Sequence, residues 1–466
     1  MMPDFRSSIR RLVFGLGIMA VLTGTALADT SVSLAPDQLR AAAIAELQTG
    51  SANRAKAYAD ALIVVDANDR LAHLIHARAL RDMGRYDEAL KSARAAWSLS
   101  EDDNQRYSSA MILAQIQSSA GRRTYAQIWL RRAVHAAPND KLEQRAIRDF
   151  KFVRSRNPWS TRISFSVAPN SNINNGSASR TSFLNYRYTE PGKPSPEYTL
   201  SGSSRALSGL EYAFNFDTRY RFSETETHAN DLFFYLGLRE YSLSSEARNI
   251  APDAKSSDFS FAQYLFGYGH RGFNFARRGE YAFRVDLGQT WYGGEEYTRF
   301  ARTSIIQSYA LSRRTRINAR LSGERQIGIT TSDLNTGRID LWFAHILPSR
   351  ARLRVFATGA VGKSPTPTQE FTELALRASL SLAKQLANAN VQLGLGYRRR
   401  DYDLSNHSPD GRHDERVGAE MTLVFANVDY YGFNPTMTLY AQYTDSNIGL
   451  FKSKQFGINL GIQSAF

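Results

Sequence analysis

Over the C-terminal two thirds of the chain, apolar and polar residues alternate one by one. Thr315, Ile317, Ala319 and Leu321 alternate with Arg316, Asn318, Arg320 and Ser322. Leu374, Leu376, Ala378, Leu380 and Leu382 alternate with Glu373, Ala375, Arg377, Ser379 and Ser381. Val391, Leu393, Leu395 and Tyr397 continue the pattern, as do Val417, Ala419, Met421, Leu423 and Phe425. A period of two predicts strands with one apolar face. The strands run to about ten residues or more, the length that crosses a bilayer at a tilt.

Fourteen such strands are expected, near 161–169, 204–221, 228–242, 258–271, 278–292, 297–312, 314–327, 333–347, 350–362, 368–385, 388–402, 413–428, 434–446 and 453–466. An even number returns both ends of a closed sheet to the same side, and the connections alternate between short and long. Tight joins near 313, 348 and 386 are expected on the periplasmic side, with loops 170–203, 243–257 and 403–412 facing outward. A soluble sandwich also alternates. Against it stand the strand lengths and the abundance of aromatics, 23 Tyr and 26 Phe, many near expected strand ends. Tyr430, Tyr431, Phe433 and Tyr440 are candidates for an interfacial girdle. In the last strand Phe456, Ile458, Leu460, Ile462 and Phe466 share a face with Ser464. A terminal Phe in that register resembles the signal that barrel-assembly machinery reads on its clients.

Residues 34 to 150 follow a different grammar, rich in Ala, Leu, Arg and Gln, which predicts helices. Gly84, Tyr86, Ala89 and Ala96, then Gly121, Ala126, Leu130, Ala133 and Pro138, fall at tetratricopeptide spacings. Gly50 and Ala55 precede Gly84 and Ala89 by one 34-residue period, so three repeats fit. Small residues let paired helices approach and Gly takes the tight turn. A plain helical bundle is the alternative. The grammar changes at Asn157-Pro158-Trp159, since Pro disfavours a helical residue before it. The expected fold class is therefore α plus membrane β: a helical repeat domain at 29–157, then an outer-membrane β-barrel at 158–466.

Arg6, Arg10 and Arg11 precede an apolar run from Leu12 to Leu22 and a small-residue site, Ala26-Leu27-Ala28 before Asp29. This reads as a cleavable signal peptide, residues 1–28, because a spanning helix needs about 20 apolar residues. The chain has no cysteine, which removes disulfides, thiolate sites and lipidation of the chain itself. The net charge of +14 is diffuse except over residues 122–156, where Lys and Arg outnumber acids ten to three. That patch suits acidic lipid or an acidic client, or is a solvated helix face; no nucleic-acid partner is expected of an exported chain.

No catalytic, cofactor or metal site is expected. His73 and His76 stand at i, i+3 without a clear acidic third ligand, and His407 and His413 belong to a polar loop. No Gly-x-Ser-x-Gly elbow occurs. Arg316, Arg320, Arg377, Arg398, Glu373 and Glu420 are expected to face the lumen, where they set its polarity or brace the wall.

Where the first strand ends, Pro169-Asn170-Ser171-Asn172-Ile173-Asn174 can close Asx-type turns on its own backbone. This motif, the repeats before it, and the run from Gly432-Phe433-Asn434-Pro435 to Phe466 resemble the surface lipoprotein assembly modulator (Slam) family, also called type XI secretion. The resemblance implies a periplasmic tetratricopeptide domain and a fourteen-stranded barrel. It implies as partners a client surface lipoprotein or secreted haem-binding-type protein, outer-membrane lipid and the barrel-assembly machinery, the barrel itself being monomeric. The motif matches the family's Pro-Asn/Asp-Ser-Asn-Ile-Asn signature, to which no chemistry attaches. An exopolysaccharide exporter, which also joins such repeats to a barrel, is the alternative; a lipid-modifying enzyme is a third class.

Overall fold

A computed structural model describes residues 34–183, 193, 196–428 and 430–464. The signal-peptide reading, with Ala26, Ala28 and Asp29, and the terminal Phe466 lie outside these residues.

Seven helices come first among the described residues: α1 (Pro36–Gln48), α2 (Ala52–Val65), α3 (Arg70–Asp82), α4 (Tyr86–Ser98), α5 (Asp103–Ser119), α6 (Arg123–His135) and α7 (Asp140–Arg156). They form three antiparallel pairs and a closing helix. Gly50, Gly84 and Gly121 sit in the three intra-pair turns with φ of +83°, +76° and +76°. No side chain would crowd a Cβ there, so the left-handed backbone is the reason for Gly. Fully buried alanines, among them Ala55, Ala59, Ala89, Ala93, Ala126 and Ala133, let the helices close on one another. The helices α3, α5 and α7 start on Asp69, Asp102 and Asn139, each accepting a first-turn amide. Polar bonds tie the first helices of successive pairs into a row: Arg40 to Asp69 at 2.7 Å, Arg70 to Ser108 at 3.2 Å, and the Tyr107 hydroxyl to the Leu142 carbonyl at 3.1 Å.

Strands follow at once. β1 (Trp159–Asn170) is separated by the short hairpin β2 (Thr181–Phe183) and β3 (Glu197–Thr199) from β4 (Gly209–Glu224) and β5 (His228–Leu243). A six-residue helix, α8 (Ser245–Ile250), then precedes β6 (Phe261–Asn274), β7 (Gly279–Tyr292), β8 (Glu295–Ala310), β9 (Thr315–Gly328) and β10 (Leu334–Ile346). The chain finishes with β11 (Arg352–Lys363), β12 (Phe371–Ser381), β13 (Asn390–Tyr402), β14 (Arg412–Val424), β15 (Phe433–Ser446) and β16 (Ser453–Ser464). Strands β1 and β4–β16 close a fourteen-stranded antiparallel barrel in which β1 pairs with β4 and β16.

One end of the barrel, here called proximal, faces the helical domain. Long connections 171–208, 244–260 and 403–411 lie at the distal end, and turns such as 311–314 and 347–351 at the proximal end. The alternation of short and long stops at the two-residue distal turn Gly293-Gly294, with φ of +61° and +86°, the backbone of a tight hairpin; beyond it distal connections such as 329–333, 364–370 and 447–452 are of a length with the proximal ones. Eight-residue connections, 382–389 and 425–432, are the longest proximal ones.

Candidate functional site

Pairing fixes which side chains enter the lumen. On the outer face Ile305, Leu321, Leu341, Leu376, Leu395 and Val417 are exposed although apolar, as a lipid-facing belt requires. Glu373, Arg377, Arg398, Glu420, Arg316 and Arg320 all take the opposite parity. Inside, cations brace neighbouring strands through carboxylates. Glu373 is reached by Arg400 at 2.5 Å and by Arg398 at 3.9 Å, while Arg377 bonds Glu420 across β13. Around the barrel, Asp231 sits among Arg221 at 2.9 Å, Arg271 at 3.6 Å and Arg219 at 3.9 Å. Arg320 lies over the Trp342 ring and Arg416 donates to Thr444 Oγ1 at 2.9 Å. The wall is thus polar and cross-linked.

The Asn-rich motif builds a cap at the distal end. The Asn172 amide donates to Asn170 Oδ1 at 2.9 Å, an Asx turn, and Asn172 Oδ1 in turn accepts from the Gly176 amide at 2.9 Å. Its further partners are remote. Asn170 Nδ2 reaches Glu211 Oε2 at 2.8 Å, and Gln455 Nε2 donates to Asn170 Oδ1 at 3.0 Å. The Phe456 amide donates to Ser171 Oγ at 2.9 Å. Asn174 Nδ2 donates to the carbonyls of Ser203 and Arg205 at 2.7 and 2.8 Å, while its Oδ1 accepts from the Leu207 amide at 2.9 Å. Ile173 is buried with Leu207, Leu243, Ala247, Ala251 and Phe259. Asn side chains suit this place because Asn172 and Asn174 each satisfy donors and acceptors of a backbone that has left the sheet, and Asn170 accepts one backbone amide while donating to Glu211. Pro169 is the last outward residue of β1 before the cap.

At the proximal end α6 lies against the barrel rim. Asn157, just before β1, donates to Thr124 Oγ1 at 3.0 Å. Arg131 donates to the Gly432 and Tyr431 carbonyls at 2.8 and 3.2 Å and stacks over the Phe433 ring. His135 packs on Tyr430 and Tyr431 at centroid distances of 5.8 and 4.2 Å. Since β16 stands between β15 and β1, α6 spans the foot of β16. Part of the basic patch seen in the sequence is therefore a joint between the two halves of the chain.

Tyr431 and Phe433, expected in a lipid-facing girdle, are taken up by this joint. Tyr440, expected there too, sits mid-strand on the inward face opposite Glu420 and Gly457, because the alternation places it with Thr438 and Gln442. Tyr430 remains exposed at the rim, and Trp159 packs on Tyr220 with ring centroids 4.6 Å apart. Ile458, Leu460 and Ile462 lie on the outer face of β16.

Among the histidines, His73 bonds the Ala67 carbonyl, and His76 Nδ1 meets Ser92 Oγ at 2.7 Å. His76 Nε2 lies 3.0 Å from Asp60 Oδ1 but off the line of a hydrogen bond, an acidic neighbour that spacing did not reveal. Burial holds the His76 imidazole below its ordinary value, outweighing that carboxylate. Asp69 is pushed up by burial and pulled down further by the Arg40 and Ala72 donors, ending below the usual carboxylate range. His413 bonds Asp401 and His407 bonds the Phe183 carbonyl. Among the described residues no three His, Asp or Glu side chains converge as a metal-ligating group.

A closed antiparallel barrel with an apolar outer belt and a braced polar lumen is that of an outer-membrane protein. The surface lipoprotein assembly modifier family matches residues 159–460, the whole barrel but its last few positions, and the chain belongs to that family. No curated protein sequence matches the chain. Among solved structures, the helical part is similar to the type III secretion translocator chaperone SycD of Yersinia enterocolitica, at 22% identity over 26% of this chain and 92% of that one, with a TM-score of 0.24. The barrel is similar to a loop-deleted OmpT of Vibrio cholerae, at 10% identity over 65% and 99% of the two chains, TM-score 0.32. It is likewise similar to a bacterial polysaccharide outer-membrane secretin, at 4% identity over 65% and 98%, TM-score 0.33.

Proposed function

We propose that this protein delivers a lipoprotein, or a related secreted protein, to the bacterial surface: the helical domain, in the periplasm, recruits the client and the barrel passes it outward. Family membership supports a lipoprotein client, and one observation supports the division of labour. The repeat domain is seated on the barrel rim through Arg131 and His135, so a chain held by the helices is delivered to the barrel's mouth. Repeat solenoids suit unfolded clients because they offer an extended row of side chains. No nucleotide is needed beyond the inner membrane; folding of the client outside supplies the driving force. The protein acts as a single barrel, inserted by the assembly machinery through β16, and has no catalytic role.

The test places this protein beside a lipoprotein encoded next to its gene and measures protease access to that lipoprotein on intact cells. Loss of access when this protein is deleted is expected. Unchanged access overturns the proposal.

A further inference from the structure

Every seam of the barrel but one is registered at ten positions or more. The β1–β16 seam is registered at two, Val167↔Leu460 and Asn170↔Gly457, both in its distal half. The cap bonds from Gln455 to Asn170 and from Phe456 to Ser171 fasten the same distal end. Proximal to Val167, β1 is paired with β4 along Trp159–Ser166 and β16 with β15 along Gly461–Ser464, and among the described residues no register joins Ile163–Ser166 of β1 to Gly461–Ser464 of β16. Trp159 to Ile163 are exposed at every position, on both faces of the strand.

Bare main-chain donors and acceptors are not tolerated in a membrane-crossing strand, so such an edge either closes on its neighbour or takes another strand. We infer that the proximal half of the β1–β16 seam is a docking edge for an extended, amphipathic β-segment of the exported client. The chemistry of the edge names that occupant, since a row of unpaired N–H and C=O groups is matched by a strand and by nothing less regular. Alternation adds the pattern. Ile163, Phe165, Leu460 and Ile462 point outward and Ser164, Ser166, Gly461 and Gln463 inward, so the segment carries apolar residues outside and small or polar ones inside. Position adds the route: α6 spans the foot of this seam, from Asn157 at β1 to Gly432 at β15, so a chain leaving the helical domain meets the free edges first. When no segment is present, continuing the observed register closes the edges, bringing Ser166 to Gly461 and Ser164 to Gln463.

The inference rests on the delivery role proposed above, and the experiment separates the two. A photoreactive benzoylphenylalanine is placed at Ile163, or at Leu321 on the opposite wall as control, in cells making the lipoprotein encoded beside the gene. Illumination is expected to give at least tenfold more lipoprotein adduct from position 163. In parallel S164C/Q463C, introduced into a chain free of cysteine, is expected to join under oxidant and cut surface exposure of the lipoprotein at least tenfold, with recovery on reduction. The S304C/S322C pair, across a fully registered seam, is expected to change nothing. Equal or absent adducts at position 163, thiols that never join, or undiminished exposure with the seam locked overturn the inference, provided deletion still abolishes exposure. If deletion has no effect, the delivery role itself falls.

Discussion

The Arg131 guanidinium donates to the carbonyl of Gly432, 301 positions further along the chain, at 2.8 Å. Together with its place over the Phe433 ring, this makes one side chain the main fastening between helices and barrel. Arg131→Ala is expected to weaken that joint by about 1.5–3 kcal/mol, the worth of hydrogen bonds from a charged donor. Hydrogen exchange is the measurement: amides around Tyr430–Phe433 and in α6 speed up together, while the strands keep their protection. Arg131→Lys restores only part, since an ammonium cannot lay a planar face over the Phe433 ring as the guanidinium does.

Asn174 answers two carbonyls and one amide of the chain that returns to β4. Asn174→Asp keeps the acceptor but turns a carboxylate toward the Ser203 and Arg205 oxygens. A loss of about 1–3 kcal/mol in the cap is expected, read as faster protease cleavage within 171–208 on a barrel that still assembles.

The outer belt should discriminate sharply between faces. Leu395→Arg puts a charge against lipid midway along β13 and is expected to lower barrel stability by about 2–4 kcal/mol. Leu395→Ala serves as the size control. Heat-modifiable gel migration after refolding into vesicles reports the difference.

His76 gives the helical domain a dependence on pH. Its folded pKa is lowered by burial, so the unfolded chain takes up the proton first as pH falls. Stability is full above the unfolded value of about 6.5 and declines as pH drops from there toward the folded value. Urea unfolding of the full-length protein followed at 222 nm should show the decline between neutral pH and pH 5. It should flatten in His76→Gln.

Much of this architecture is legible in the sequence because its signals are local. All fourteen strands lie where period two places them, since each must show apolar residues to lipid whatever its neighbours are. The three helical turns are marked by Gly50, Gly84 and Gly121 because only a left-handed backbone fits. The Gly293-Gly294 turn carried an equally local signal, but it breaks the alternation of connection lengths. What stayed hidden depends on distant partners. Asn170 and Asn174 read as turn formers, yet their bonds run to Glu211, Gln455 and Leu207. Tyr440 looked interfacial from its aromatic neighbours, whereas its strand register turns it inward. The hairpin β2–β3 and the helix α8 are too short to leave a periodic trace. Neither the α6 joint nor the missing half of the β1–β16 ladder has a pattern at all, since both follow from how the closed ring meets the domain beneath it.

The cap also sets a mechanical constraint. Its bonds from Asn170 and Ser171 to Gln455 and Phe456 rivet the two margins of the seam at one end only. Any parting of those margins must therefore pivot there, like shears about their pin, so that the gap is narrowest at the distal rim and widest under α6.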